Sequence, residues 1–382
     1  MKTRPAYILA HHVLTPLGSG TSTNLDIIAS GQTAVIDTRN QVFQGQGICG
    51  ALFTETDWES IRSSFKEDLT NFEAMLMQSI QAALTDTDFY LDDPGTVLIL
   101  ASTKGNIGEL QDGSEGAAAR AGLHESAKKL GLLLNYHSRP LIISNACISG
   151  MTALLVAKRL LQSGQYRRAV VAGGDCISPF IIAGFKSFQA LSPHVCKPFD
   201  KDRSGLNLGE GAATILLSSE PGRDSLAVTG GASTNDANHI SGPSRTGAEM
   251  AYAIQQAMKQ AGVRPGEIGF ISAHGTATPF NDEMESKAFQ QAELEKVPAF
   301  SLKASFGHTL GAAGLLESAI SIEALQRGWI LPSAGYLSHG VTAPVTISTS
   351  LTKDLPLQHF LKTGSGFGGC NAALVFSKIT TQ

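Results

Sequence analysis

Ser144-Asn145-Ala146-Cys147-Ile148-Ser149-Gly150 follows the apolar run Pro140–Ile143 and opens the apolar helical pattern Met151–Ala157. Read alone, a cysteine at such a strand-to-helix junction has two explanations. It can be a small core residue, the usual fate of a free thiol. It can also be a nucleophile, because a helix N-terminus offers free N–H groups and about half a positive charge that favour thiolate. An echo later in the chain shifts the balance toward chemistry. Ser305-Phe306-Gly307-His308-Thr309-Leu310-Gly311 aligns with the first stretch, with His308 in the place of Cys147, and Leu315-Leu316 then aligns with Leu154-Leu155.

Two further matches flank this one in the same order. Pro94–Ser102 pairs with Pro265–Ala273, and Gly209–Ser218 pairs with Gly368–Ser377, each a turn running into a strand-like segment. Each match is weak by itself. Three in register argue for a duplicated chain, with halves at 1–222 and 223–382. Cys147 and His308 then open equivalent helices that face each other near a pseudo-twofold axis. Periodicity predicts helices at 71–84, 115–134, 151–163, 247–261, 283–294 and 312–327. Strands are predicted at 6–10, 96–101, 140–144, 169–173, 213–218, 268–272, 345–349 and 372–377, so the class is α/β.

The composition of the 382 residues excludes several functions. A net charge of −4 gives no footprint for nucleic acid or an anionic membrane surface. No apolar run approaches the ~20 residues of a membrane span, and the N-terminus lacks the pattern of a secretory signal. The five cysteines are scattered without a CxxC pair, which argues against a zinc ribbon or a disulfide framework and for a reducing, cytoplasmic setting. His11-His12 has no further ligand at metal spacing and reads as structural, so no metal is expected.

The remaining candidates for chemistry are few. His274, in Ala273-His274-Gly275-Thr276-Ala277-Thr278-Pro279, follows a strand pattern, where α/β sheets place their sites. His308 precedes a small-residue helix, so its ring is expected to stay neutral and donate a hydrogen bond. Lys303 keeps company too small and apolar for a surface lysine. Gly364-Ser365-Gly366-Phe367-Gly368-Gly369 exposes backbone in a loop. It formally fits GxGxxG, as does Gly45–Gly50, but neither opens a helix after a strand, so neither is a dinucleotide site. No P-loop, HExxH or GxSxG occurs.

One Cys, two His, a Lys and a Gly-Phe-Gly-Gly loop together resemble the elongating β-ketoacyl-acyl-carrier-protein synthases of the thiolase superfamily. The likeness runs over nearly the whole chain, through Leu14–Gly18, Ala146-Cys147, Pro198–Arg203, Gly209–Ala212, His274–Pro279, Lys303…His308 and Gly366–Gly369. It implies a thiolase-like duplicated five-layered α-β-α-β-α fold. It implies that Cys147 carries the acyl chain, with the N–H groups of Cys147 and Phe367 as oxyanion hole. His274 and His308 would bind the malonyl thioester and stabilise its enolate, with Lys303 orienting and polarising the His308 region and paired to Glu285. Thr276 and Thr278 would hold the phosphopantetheine arm of an acyl carrier protein, and no permanent cofactor is implied. Ile107, Asp236 and Phe367 match gating positions. A homodimer, or a heterodimer with a related subunit, is the implied assembly.

Two His resemble the branch that accepts carrier-bound primers. A non-catalytic chain-length partner would lack the nucleophile, and a thiolase would use a second cysteine as base, a place that Cys370 invites. The segment between Ile107 and Cys147 and the segment Leu191–Lys197 are both shorter than the family usually shows. The resemblance therefore leaves chain-length preference, pathway and dimer geometry open.

Overall fold

The computed structural model describes residues 5–37, 47–111, 113, 116–222, 226–237 and 242–379. Ten strands make up the body. β1 (Ala6–Thr15), β2 (Thr96–Ala101), β3 (Leu141–Ile143), β4 (Arg168–Asp175) and β5 (Gly211–Ser218) come from the first half. β6 (Leu226–Asn235), β7 (Ile268–Ser272), β8 (Ala299–Phe300), β9 (His359–Gly366) and β10 (Cys370–Lys378) come from the second. In space the order is β8-β7-β9-β10-β6-β1-β5-β4-β2-β3, with the two-residue strand Gly18–Ser19 added beside β1. Counted from each outer edge, both halves therefore read third, second, fourth, fifth, first.

The pairing senses repeat as well. The third, second and fourth strands of each half are parallel, and the fifth and first are antiparallel to their neighbours. The two first strands join antiparallel, Ala6 against Val228 and Ile8 against Leu226, as a twofold relation requires. The sequence matches fall on equivalent places: 94–102 and 265–273 contain β2 and β7, and 209–218 and 368–377 contain β5 and most of β10.

Side-chain alternation sets the layers. In β2, Val97 and Ile99 face one buried cluster while Leu98 and Leu100 face another, the period of two that a sheet covered on both faces imposes. Helices α3 (Ser149–Gln162) and α7 (Ala313–Arg327) fill the central cluster, packed against strands of both halves. Helices α1 (Asn71–Leu84) and α2 (Leu123–Leu133) cover the outside of the first half. α5 (Ala248–Ala261) and α6 (Pro279–Gln291) cover the second, while α4 (Pro179–Ser187) lies after β4. Helix, sheet, helix, sheet, helix is the five-layered arrangement expected.

The central helices meet at their starts. A Cβ on Gly150 would lie 2.7 Å from Leu315 Cβ and 3.1 Å from the Gly311 carbonyl oxygen, and one on Gly314 would lie 2.4 Å from Met151 Cγ. Glycines here let the two helix starts touch.

Three sequence expectations fail. Residues 345–349 form no strand, and Ile347 makes only an isolated bridge to Ala299. The helix expected over 115–134, of which residue 115 lies outside the described residues, is two pieces, Ala117–Arg120 and α2. Central strands β6 and β9 are missing from the expectation, because Gly230-Gly231 in one and Lys362, Gly364 and Ser365 in the other break its apolar pattern.

Candidate active site

Cys147 stands two residues ahead of α3, after Ala146, whose φ of +44° is left-handed backbone that a residue with a Cβ rarely adopts. Similar backbone occurs at Ala277 (φ +58°), between Thr276 and Thr278, and at Leu310 (φ +50°), just after His308. Strain of this kind persists only where the surroundings over-determine it, and here it flanks the expected site residues.

His274 and His308 come from the second half, and both are buried. Their rings stand edge to face, 5.2 Å between centroids. The His308 main chain is held by its N–H to the Asn207 carbonyl at 2.7 Å and its own carbonyl to the Gly209 N–H at 3.1 Å. Burial and the positive charges of Lys303 and Lys362 hold both imidazoles well below their usual range. At neutral pH both rings are uncharged, each with one N–H to donate. His308 Nδ1 is buried and has no hydrogen-bond partner among the described residues.

Cys147 differs from the sequence expectation. Burial, with Cys370 next in weight, pushes its thiol up to about 12, against the pull of Lys303 and a hydrogen bond from the Phe367 N–H. The resting group is a thiol rather than a thiolate, since desolvation outweighs what a helix start offers. One cation, Lys303, acts on Cys147, His274 and His308 alike. Cys147 of the first half and the two histidines of the second thus share the field of one buried cation across the seam.

The Phe367 loop lies against Cys147. A Cβ on Gly366 would come 2.9 Å from Cys147 N and 2.9 Å from Cys370 Sγ. The Phe367 ring, 39% exposed, packs on Phe185 at 5.8 Å and on Phe188 at 5.1 Å between centroids. Asp236 N–H donates to the Gly369 carbonyl at 2.7 Å and Asn235 Nδ2 to that of Gly368 at 2.9 Å, tying the two expected gating loops together. Residues 238–241 of the Asp236 loop lie outside the described residues. Cys370 donates to the backbone carbonyls of Phe367 at 3.5 Å and Asn145 at 3.9 Å.

Thr276 and Thr278 share a hydroxyl hydrogen bond of 2.8 Å, and Thr278 caps α6 by accepting from the Asn281 N–H. Ile107 sits in a short 3₁₀ turn, Ile107–Gln111, packed with Ile177, Ile181 and Leu310. Beyond it lies a cavity of about 460 Å³ lined in part by Trp58, Arg62, Cys176 and Glu210. His11 and His12 bond Thr21 and Ser19, and no cluster able to hold a metal occurs among the described residues.

Comparison with known proteins agrees with this geometry. The model of the β-ketoacyl synthase N-terminal domain matches residues 52–221, and that of the C-terminal domain matches 226–337. The chain belongs to the β-ketoacyl synthase family. Among relatives, a 3-oxoacyl-[acyl-carrier-protein] synthase 2 of Vibrio cholerae is 27% identical over 99% of this chain and 100% of its own. The tetracenomycin polyketide synthase ketoacyl synthase alpha subunit of Streptomyces glaucescens is 33% identical over 62% of this chain and 59% of its own. Among solved structures, a chain from the complex of a ketosynthase with its chain length factor from Xenorhabdus doucetiae has a TM-score of 0.86 at 25% identity, covering 98% of both chains. These relatives are acyltransferases, and their fold is thiolase-like. No helix among the described residues is long and apolar enough to cross a membrane.

One expected pairing in this synthase is wrong. Glu285 does not pair with Lys303. Its oxygens accept from the N–H groups of His274 (2.8 Å) and Gly275 (2.7 Å), from Thr363 Oγ1 (2.6 Å) and from Asn281 Nδ2 (3.1 Å). It holds the His274 loop instead. Lys303 pairs with Glu317 on α7, whose other oxygen meets Lys362 Nζ at 2.6 Å. Both lysines are fully buried.

Sequence reasoning also passed over Asp175, at the end of β4. Its buried carboxylate accepts from Ser102 Oγ (2.7 Å), Thr103 N (3.1 Å), Thr103 Oγ1 (3.0 Å) and, across the seam, Gly311 N (2.7 Å). It thereby fastens the turn after His308 to the first half. A residue next to the Gly-Gly end of a buried strand carried a signal, but only the second half shows its partner.

Proposed function

We propose that the protein condenses an acyl chain held on Cys147 with a malonyl unit, in fatty-acid or polyketide-type chain elongation. The observation that carries this is that Cys147 and the neutral His274–His308 pair share the field of one buried cation across the seam. In the first step Cys147 Sγ attacks the thioester of an acyl chain on the phosphopantetheine arm of an acyl carrier protein. The thiol loses its proton as the carrier thiol leaves with one. The N–H groups of Cys147 and Phe367 stabilise the oxyanion. In the second step the N–H donors of His274 and His308 hold the malonyl thioester carbonyl. Loss of carbon dioxide leaves an enolate there, and donors aimed at that oxygen stabilise it. The enolate carbon attacks the acyl-Cys147 carbonyl, the carbon–sulfur bond breaks to release Cys147 as thiolate, which takes a proton from solvent to return to the thiol, and the 3-oxoacyl product stays on the carrier. No metal or permanent cofactor enters these steps.

Thr276 and Thr278, at the mouth of the His274 loop, suit the pantetheine amides as hydroxyl partners. Ile107, Asp236 and Phe367 act as gates, the last two moving together because their loops are bonded. We assign the functional halves to 1–222 and 223–382, and the free cysteines support a cytoplasmic setting. β3 is an edge strand with Leu141 and Ile142 exposed, which suits pairing with a second ketosynthase-like subunit.

The test is His308→Ala. The variant should still load acyl chains from carrier protein while its malonyl decarboxylation falls by about a hundredfold or more, the loss typical of an oxyanion donor. Decarboxylation at the wild-type rate removes His308 from the mechanism.

A further inference from the structure

Lys362 comes from β9, one strand over from β7, and its side chain is wholly inside the protein. Its ammonium has four partners. It donates to the carbonyl oxygens of Ser272 (3.0 Å), Ala273 (3.3 Å) and Thr363 (2.8 Å) and meets Glu317 Oε2 at 2.6 Å. Ser272 and Ala273 are the two residues before His274. Glu285 takes the next two N–H groups, those of His274 and Gly275, and is itself tied to Thr363. The His274 loop is therefore gripped on its carbonyl side by Lys362 and on its N–H side by Glu285, with adjacent β9 residues anchoring both grips.

Charge gives the arrangement a second meaning. Among the described residues, Lys303, Lys362, Glu317 and Glu285 form one buried cluster of four charged side chains about the histidine pair, and the buried carboxyl group of Asp282 holds the next N–H of the loop, that of Thr276, at 2.9 Å. Glu317 lies between the two lysines, so one carboxylate and one lysine are left over. The extra carboxylate is Glu285, which is needed for the loop but stands beside the place where an enolate must form. With Lys303 alone, the cluster would carry a net negative charge and oppose a developing anion, and in a buried site that repulsion is poorly screened.

We propose that Lys362 is a positioning residue for the condensation, compensating the Glu285 charge beside His274 so that the loop can be held by a carboxylate without opposing the carbanion. The proposal rests on the reaction assigned above. It makes Lys362 specific to the decarboxylating step. Acyl transfer to Cys147 uses the Phe367 side of the site and has no need of it.

The experiment compares wild type with Lys362→Met, which keeps the stem and removes the charge, and with Lys362→Gln, which keeps a donor for the loop carbonyls. Three quantities are read: acyl loading by intact mass, malonyl-carrier decarboxylation, and the histidine ring titration by nitrogen NMR on labelled protein. Loading should stay within about threefold while decarboxylation falls by about tenfold or more, the scale of one lost charge contact. The pH at which His274 and His308 take up a proton should move up in both variants, because a nearby cation has gone. The charged or titratable groups facing the pair are then Lys303, Glu317, Glu285 and, from α6, Asp282. Loading and decarboxylation falling together, or an unmoved histidine titration, overturns the proposal. Failure of the wild type to load or decarboxylate strikes at the reaction itself. The titration needs no substrate and judges Lys362 either way.

Discussion

Lys303 and Glu317 form an ion pair sealed inside the protein, the lysine from the short helix Lys303–Phe306 and the carboxylate from the central helix α7. The pair sits behind His308 and joins the site to the layer between the two halves. Removing one partner of a buried pair leaves an uncompensated charge, and at Glu317 two ammonium groups lose their contact, since Lys362 meets the same carboxylate. Glu317→Gln should cost about 3–5 kcal/mol of stability, measured as a lower urea midpoint. Glu267→Gln, which breaks only the exposed Arg264 pair, is the control and should change little. Equal effects from the two substitutions would contradict the role given to Glu317.

The helix starts at the seam predict a packing lesion. Gly150→Ala places a Cβ 2.7 Å from Leu315 Cβ and 2.9 Å from Leu315 N, so α3 and α7 must move apart. The expected destabilisation is about 1–3 kcal/mol. Acyl loading and decarboxylation should both fall, because Cys147 and His308 ride on those starts. A thermal melt and the two rates check this.

Asp175 predicts opposite signs from one substitution. Its carboxylate raises the Cys147 thiol and also fixes the Gly311 N–H. In Asp175→Asn, alkylation of Cys147 by iodoacetamide at pH 8 should become faster, since thiolate forms more easily. Condensation should become about tenfold slower, since an amide cannot accept from every donor that the carboxylate serves. A substitution that merely loosened the fold would not separate the two.

Acid should destabilise the protein through the histidine pair. Both imidazoles are held well below the usual 6.5 by burial first and then by positive neighbours. Below about pH 6.5 the unfolded chain therefore binds protons that the folded chain refuses, and stability falls as pH falls. Glu210 and Asp282, pushed up to about 7 by burial, act with the opposite sign, losing stability as pH rises toward 7. The test is a difference: His274→Asn should flatten the acid-side slope of the urea midpoint relative to wild type.

Much of this was legible in the chain because duplication writes the same physics twice. Cys147 and His308 could be matched because both open central helices that must approach closely, and that approach requires glycine at 150 and 314. β2 and β7 were legible because strands buried on both faces are continuous apolar runs. β6 and β9 were not, since glycines and a lysine interrupt them. Lys362 looks like a break in a strand until Glu317 and three loop carbonyls are seen around its ammonium. The family resemblance paired Glu285 with Lys303, yet four hydrogen-bond donors around the His274 loop claim its oxygens instead. Such partnerships depend on tertiary placement, which local pattern does not encode. The thiol state of Cys147 was misjudged for a related reason: a helix start is visible in sequence, whereas depth of burial is not.

The most direct test of the central claim is the intact mass of the protein after incubation with an acyl-loaded carrier protein, for wild type and Cys147→Ala. A mass increase equal to the acyl group on wild type, absent from the variant, is the result expected. An adduct that survives the substitution, or a wild type that gains none, would contradict Cys147 as the acyl carrier at the seam.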